Sequence, residues 1–134
     1  MTSLTIFAQN MRSLAGNVQR NSVELQRRVS VRVVELVATA TPQLTGQASG
    51  NWQTSVGGMN PSWVAGPNSP TTSIANAVSA LSGLAPGQTV NITNNVPYII
   101  DLNNGSSQKA PAAFVESSIM SALGQVERFN LLVR

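Results

Sequence analysis

The 134-residue chain contains no cysteine and no histidine. Disulfides, thiol nucleophiles and Cys/His zinc sites are excluded at once, and so is imidazole acid/base catalysis. Carboxylates are scarce as well: there are five, widely spaced, and Asp101 and Glu116 read better as cap or surface groups than as an acid/base pair. With no phosphate-cradling glycine loop either, the expectation is a non-enzymatic protein with no cofactor and no metal. Charged residues of both signs make up only 10% of the chain, against about 25% in a typical soluble domain. With many Ser, Thr, Asn and Gln in their place, the surface reads as one that partners cover in the working state. Apolar runs such as Val96 to Ile100, or Val31 to Val37 with Arg32 and Glu35 inside it, fall far short of the ~20 residues that cross a bilayer. The start, MTSLTIFAQNMRS, has no basic region ahead of an apolar one and no cleavage-like site. No membrane partner and no signal peptide are expected, and the protein is expected to be soluble and made in the cytoplasm.

What is present suits one domain over residues 1–134, with 42% hydrophobic residues to build its core. The net charge of +3 is concentrated: Arg12, Arg20, Arg27, Arg28 and Arg32 share a segment with only Glu24 and Glu35. That segment is a solvated helix face or, alternatively, a surface that meets phosphate or an acidic partner.

Between Phe7 and Thr39 there is no Pro and a single Gly, and Met11, Leu14, Val18, Leu25, Val29, Val33, Leu36 and Ala40 recur at spacings of three, four or seven. This spacing predicts a long amphipathic helix, too long for a domain of this size to cover, so that part of it packs on another subunit. Pro42 ends it. The segment TPQLTGQASGNW is a turn-rich exit anchored by Leu44, and Trp52 then opens a strand to Gly57 as a core residue with its indole N–H bonded. Residues 57–70 are an interaction loop with a short edge strand at Ser62 to Ala65. Within it Trp63 is either a partner-facing anchor or a cap folded onto the core. Ser69-Pro70 starts a short helix through Ile74, Val78 and Leu81 that Gly83 closes. Thr89 to Asn94 alternates as a strand. Val96-Pro97 turns into Tyr98 to Leu102, a helical turn or a buried strand, with Tyr98 fixing the turn to the core. Asn103, Asn104, Gly105, Ser106, Ser107, Gln108 and Lys109 form a second interaction loop. Pro111 opens a final helix whose apolar stripe is Phe114, Val115, Ile119, Leu123, Val126 and Leu131. The predicted class is α+β: a long amino-terminal helix, a short, mostly antiparallel sheet, a short middle helix and a carboxy-terminal helix packed on the sheet.

Two segments carry a resemblance. TPQLTGQASGNW, with Pro42, Thr45, Gly46 and Trp52, resembles the "TP, TG, SW" element of the tailed-phage neck and tail-completion family, the minor tail protein Z-like proteins. NNVPYIIDLNNGSSQKAP resembles the family's "N-x-VPY … L-E-x-G-x-S-x-QAP" pattern, with Asn95, Val96, Pro97, Tyr98, Leu102, Gly105, Ser107, Ala110 and Pro111 at matching places. Order and separation also fit. The sequence departs from the pattern at Asn103, where an acidic residue is usual, at Leu44 in place of Asp, and at Gln47 in place of Arg. A salt bridge between the two segments is therefore not carried over. The resemblance implies a structural virion protein at the head-to-tail joint: a neck, tail-completion or tail-terminator subunit in a homo-oligomeric ring, a hexamer or a dodecamer, joining the connector to the tail. Its partners are then other neck and tail proteins, met through loops 57–70 and 103–109. The alternative reading is a DNA-binding module without sequence specificity that uses the first helix. Between the two lies a ring in which Arg20, Arg27 and Arg28 face DNA in the lumen.

Overall fold

The computed structural model describes residues 2–42, 45–105 and 112–126 and, among these, the side chains of 20, 22–42, 45–105 and 112–125. The fold is α+β. Helix α1 spans Thr2–Ala40, 39 residues, or about 58 Å at 1.5 Å per residue. It starts ahead of the expected Phe7 because no Pro or Gly interrupts the preceding residues. Its buried positions Ser30, Val34, Val37 and Ala38, with Thr41 just past its end, form one stripe at spacings of three and four, beside the predicted line through Leu25, Val29, Val33, Leu36 and Ala40, which is only half-buried. The last turn closes on Thr41, which donates its N–H (3.0 Å) and its hydroxyl (2.6 Å) to the Val37 carbonyl. The same hydroxyl oxygen accepts the indole N–H of buried Trp52 at 2.9 Å. Trp52 is thus a core residue with its polar handle satisfied, as the sequence predicts.

Strand β1 (Trp52–Val56) pairs antiparallel with β2 (Val90–Asn94), Trp52 opposite Asn94 and Val56 opposite Val90. These two strands are the whole sheet among the described residues. The expected edge strand at Ser62 to Ala65 does not form; side chains hold that segment in place of a ladder. The core unites Val37 and Ala38 of α1, Trp52 of β1 and Phe114, with Ile92, Ile99, Leu102 and Val115 packed against it.

Helix α2 (Pro70–Ala80) lies against β1 and α1. Ser69 is its extended N-cap residue, but its side chain makes no capping bond. The preceding Asn68 supplies the acceptor, its Oδ1 taking the Ser69 N–H (2.9 Å) and the Thr72 hydroxyl (2.6 Å). The other end corrects the expected role of Gly83, whose φ is not positive. Leu81 is the C-cap residue, and its carbonyl accepts from Arg27 Nε at 3.1 Å, a cation placed at the negative end of the helix dipole.

Val96 is buried, and its carbonyl accepts the Ile99 N–H, so the segment after Pro97 is the helical turn α3 (Ile99–Asn103). Helix α4 (Phe114–Val126) packs on α1. It begins later than Pro111, because Ala113 adopts a positive φ of 61° that no right-handed helix accepts. Its buried face also differs from the expected stripe. Phe114, Ser118 and Ala122 face inward, whereas Ile119, Met120 and Leu123 are exposed. The small Ser118 and Ala122 let α4 approach α1, and Arg32 Nε reaches Gln125 Oε1 at 2.9 Å to fix the crossing. Leu44, Ser106 to Ala110, Pro111 and Leu131 lie outside the described residues, as do the side chains of Met11, Leu14, Val18 and Val126.

Candidate functional site

Loop 57–70 has no ladder of its own, and it is held by amide side chains from both flanking segments. Asn51, only 1% exposed, grips Val64 as a strand partner would: Val64 N–H donates to Asn51 Oδ1 (2.7 Å) and Asn51 Nδ2 donates to the Val64 carbonyl (2.8 Å). The same Nδ2 also reaches the Gln47 carbonyl at 2.6 Å. Gln47 Oε1 accepts the Gly66 N–H at 2.8 Å. From the other side, the Asn60 carbonyl accepts the Thr93 hydroxyl (3.0 Å) and Asn95 Nδ2 (2.9 Å). Asn68 N–H donates to the Thr45 carbonyl at 3.1 Å. An irregular backbone must satisfy its polar groups somewhere, and here neutral amides take up that work.

Further amide bonds join the two segments that carry the family resemblance. Gln47 Nε2 donates to the Tyr98 hydroxyl at 2.8 Å, and Asn94 Nδ2 donates to the Ala48 carbonyl at 2.9 Å. These bonds between the two segments are made by neutral amides. Gly46 lets the end of the loop pack closely on the first segment. Its φ is +79°, and a Cβ built there would lie 1.6 Å from the Asn68 carbonyl oxygen. Thr45 Oγ1 accepts the Gln47 N–H at 3.3 Å, and Pro42 sits half-buried directly after α1.

Trp63 is 38% exposed on this pinned loop, with Met59 and Val64 more exposed still. Tyr98 is equally half-exposed and Pro97 exposed, so Tyr98 is fixed through its hydroxyl and not by deep burial. On the second loop, Asn104 and Gly105 are exposed, whereas Asn103 turns inward to organise α4. Its carbonyl accepts the Ala113 N–H (2.6 Å), its Oδ1 the Val115 N–H (3.0 Å), and its Nδ2 donates to Glu116 Oε1 (2.9 Å). Ser106, Ser107, Gln108 and Lys109 lie outside the described residues.

The arginines divide. Arg27 and Arg28 both pair with Glu24, Arg28 Nε to Oε1 at 2.9 Å, and Arg27 also holds the end of α2. Arg32 pairs with Glu35 at 3.0 Å. The hydrogen bond from Arg28, with Arg27 beside it, pulls the Glu24 carboxyl below its ordinary 4.5 against the opposing pull of burial. Arg20 lies exposed on the same helix. Among the described residues no three His, Cys, Asp or Glu side chains gather into a metal-binding group, and no helix is long and apolar enough to cross a membrane.

Comparison of the chain with protein-family models, curated proteins and solved structures gives no match. Sequence reading passed over Asn51, Asn60 and Asn68. The signal available was the density of asparagine on both sides of a loop rich in Gly and Pro, where only side-chain amides could satisfy the backbone.

Proposed function

We propose that this chain is a structural subunit of a tailed-phage virion, a ring of the neck or tail-completion apparatus joining the connector to the tail. The observation that carries this reading is the clamp around loop 57–70. The two segments that resemble the family are bonded to each other through Gln47–Tyr98 and Asn94–Ala48, and together they immobilise a loop that presents Trp63, Met59 and Val64 to solvent. An ordered loop with an exposed aromatic anchor loses little freedom on docking, which is how a recognition surface gains affinity. The groups around it are amides, hydroxyls and apolar side chains, which fit surfaces together and have no bond to make or break. Arg27 and Arg28 are engaged within the chain, so the first helix offers phosphate less than its sequence suggests.

The test is the Trp63→Ser variant beside the wild type, examined by electron microscopy and by assembly of particles in infected cells. The expected result is closed rings for the wild type. The variant, with its melting temperature within about 3 °C, should fail to join neck to tail. A wild type that stays monomeric at high concentration and binds DNA with steep salt dependence would overturn the reading in favour of a DNA-binding module.

A further inference from the structure

Asparagine recurs throughout this chain, but only Asn104 is followed by glycine. The backbone nitrogen next in sequence to an asparagine can attack the side-chain amide carbon and close a cyclic imide, which makes asparagine a thermolabile residue. A Cβ on the following residue obstructs that approach, and glycine has none. Every other Asn precedes a residue that carries a Cβ, and Asn60 precedes Pro61, which has no N–H to give up. The sequence singles out one amide, at the end of α3.

The structure treats this amide differently from its neighbour. Asn103 has both polar side-chain atoms engaged, Nδ2 on Glu116 Oε1 and Oε2 (2.9 and 3.1 Å) and Oδ1 on the Val115 N–H (3.0 Å). Asn104 is exposed, and among the described residues its side chain makes no hydrogen bond. Its backbone is what is held. Asn104 N–H donates to the Ile100 and Asp101 carbonyls (3.0 and 3.2 Å), and Gly105 N–H donates to the Leu102 carbonyl at 3.1 Å. The attacking nitrogen is therefore engaged in the last turn of α3. It also points the wrong way. With ψ at 2°, the Gly105 nitrogen lies beside the backbone nitrogen of Asn104 and is turned away from Cβ, whereas the imide closes only when the two eclipse. Rotating ψ that far breaks the bond to Leu102. A bond at the very end of a five-residue helix is among the first to open.

We propose that Asn104 and Gly105 form a self-modification site gated by the last turn of α3. When the turn opens, the Gly105 nitrogen gives its proton to hydroxide, bonds to Asn104 Cγ and expels Nδ2 as ammonia, leaving the cyclic imide. Water then adds to either imide carbonyl and opens the ring to an aspartyl or an isoaspartyl residue, with no change of oxidation state. While Gly105 stays on the Leu102 carbonyl, the site is inert. The product places a new carboxylate next to Asn103, which fixes the start of α4 through Ala113, Val115 and Glu116. In the isoaspartyl form the backbone there is also longer by a methylene. These steps need only this chain and water, so they are independent of any ring.

The test incubates the full-length protein at mildly alkaline pH, folded and in urea, and follows it by peptide mapping with mass spectrometry, the two products being separated by chromatography. The amide-to-acid mass change is expected at Asn104 ahead of every other Asn, as both products, and at least about tenfold more slowly in the folded protein. Hydrogen exchange at Gly105 reads the gate separately, and folding should slow it by a similar factor. Asn104→Gln, whose longer side chain must close a larger and slower-forming ring, should keep the wild-type thermal melt and lose the product. Modification of other asparagines first in urea would overturn the site. Equal rates at Asn104 in the folded protein and in urea would overturn the gate, and so would modification slowed far more or far less than exchange at Gly105.

Discussion

Replacing Gly46 by Ala separates two costs that a single substitution usually mixes. Gly57 and Gly46 have similar positive φ values, +89° and +79°, but a Cβ at Gly57 meets nothing within 4 Å, whereas at Gly46 it would lie 1.6 Å from the Asn68 carbonyl oxygen and 2.5 Å from its carbon. Gly57→Ala therefore reports left-handed strain alone, about 1–2 kcal/mol. Gly46→Ala adds a collision with backbone that can be relieved only by moving Asn68 and Ser69. That movement breaks the Asn68-to-Thr45 bond of 3.1 Å and disturbs the cap of α2. Overpacking costs about 1–3 kcal/mol and a lost hydrogen bond about 1, so with the strain the total is about 3–6 kcal/mol out of the 5–15 that hold a typical domain folded. Gly83→Ala, with open space and no positive φ, serves as the control and should fall within about 0.5 kcal/mol of the wild type. Urea unfolding followed by far-UV circular dichroism and tryptophan fluorescence measures all three. An unfolding free energy for Gly46→Ala within about 0.5 kcal/mol of that for Gly57→Ala would refute the claim that Asn68 is packed on this glycine.

Three further outcomes are expected. Asn51→Ala should remove the grip on Val64, cost about 2–4 kcal/mol through the stranded polar groups, and raise amide exchange at Val64 and Gly66 in hydrogen-exchange mass spectrometry; unchanged exchange there would show that the loop is held otherwise. Thr54 is buried, and its hydroxyl has no partner in the described structure, so Thr54→Val should be neutral or raise stability by about 1 kcal/mol in the same urea titration. The lowered Glu24 carboxyl contributes stability that is present above its ordinary 4.5 and is lost as pH falls from there through the lower folded value. Since the pair is well exposed the effect stays under about 1 kcal/mol, and Glu24→Gln should flatten that part of the stability profile, as thermal melts across the acid range will show.

Local signals made much of this fold legible. The helical period of α1, Pro42 after it, the extended run of β2 and the Ser69-Pro70 start of α2 are each decided within a few residues, and the structure keeps them, although β2 is evenly half-buried along its length. The face of α4 was not legible, because its apolar residues outnumber what one buried face takes. Which of them turn inward is set by how closely Ser118 and Ala122 allow α1 to approach, a property of two helices together. Its start was hidden for a similar reason: Ala113 takes a strained φ that its sequence does not announce and that the bonds from Asn103 sustain. At the candidate site, the turn residues Pro42, Gly46 and Pro97 could be read directly. The clamp could not, since Asn51 meets Val64 13 residues away and Asn60 meets Asn95 35 residues away. Periodicity carries no information about pairs so far apart.

The chemistry of the clamp suits the proposed role of its loop as a surface that a partner covers. Burying an ion pair costs several kcal/mol in lost hydration, and its mutual attraction returns that only with near-ideal geometry. A hydrogen-bonded amide has no such charge to desolvate. Here the three described ion pairs lie along α1, whereas Gln47, Asn51, Asn60, Asn68 and Asn95 hold the loop that carries Trp63. The segments joined by Gln47 and Tyr98 thus keep a connection that leaves no charge beneath the proposed docking surface. The Gln47–Tyr98 linkage is accordingly a short-range bond between neutral groups, whose strength depends on the fit of the backbone around Gly46.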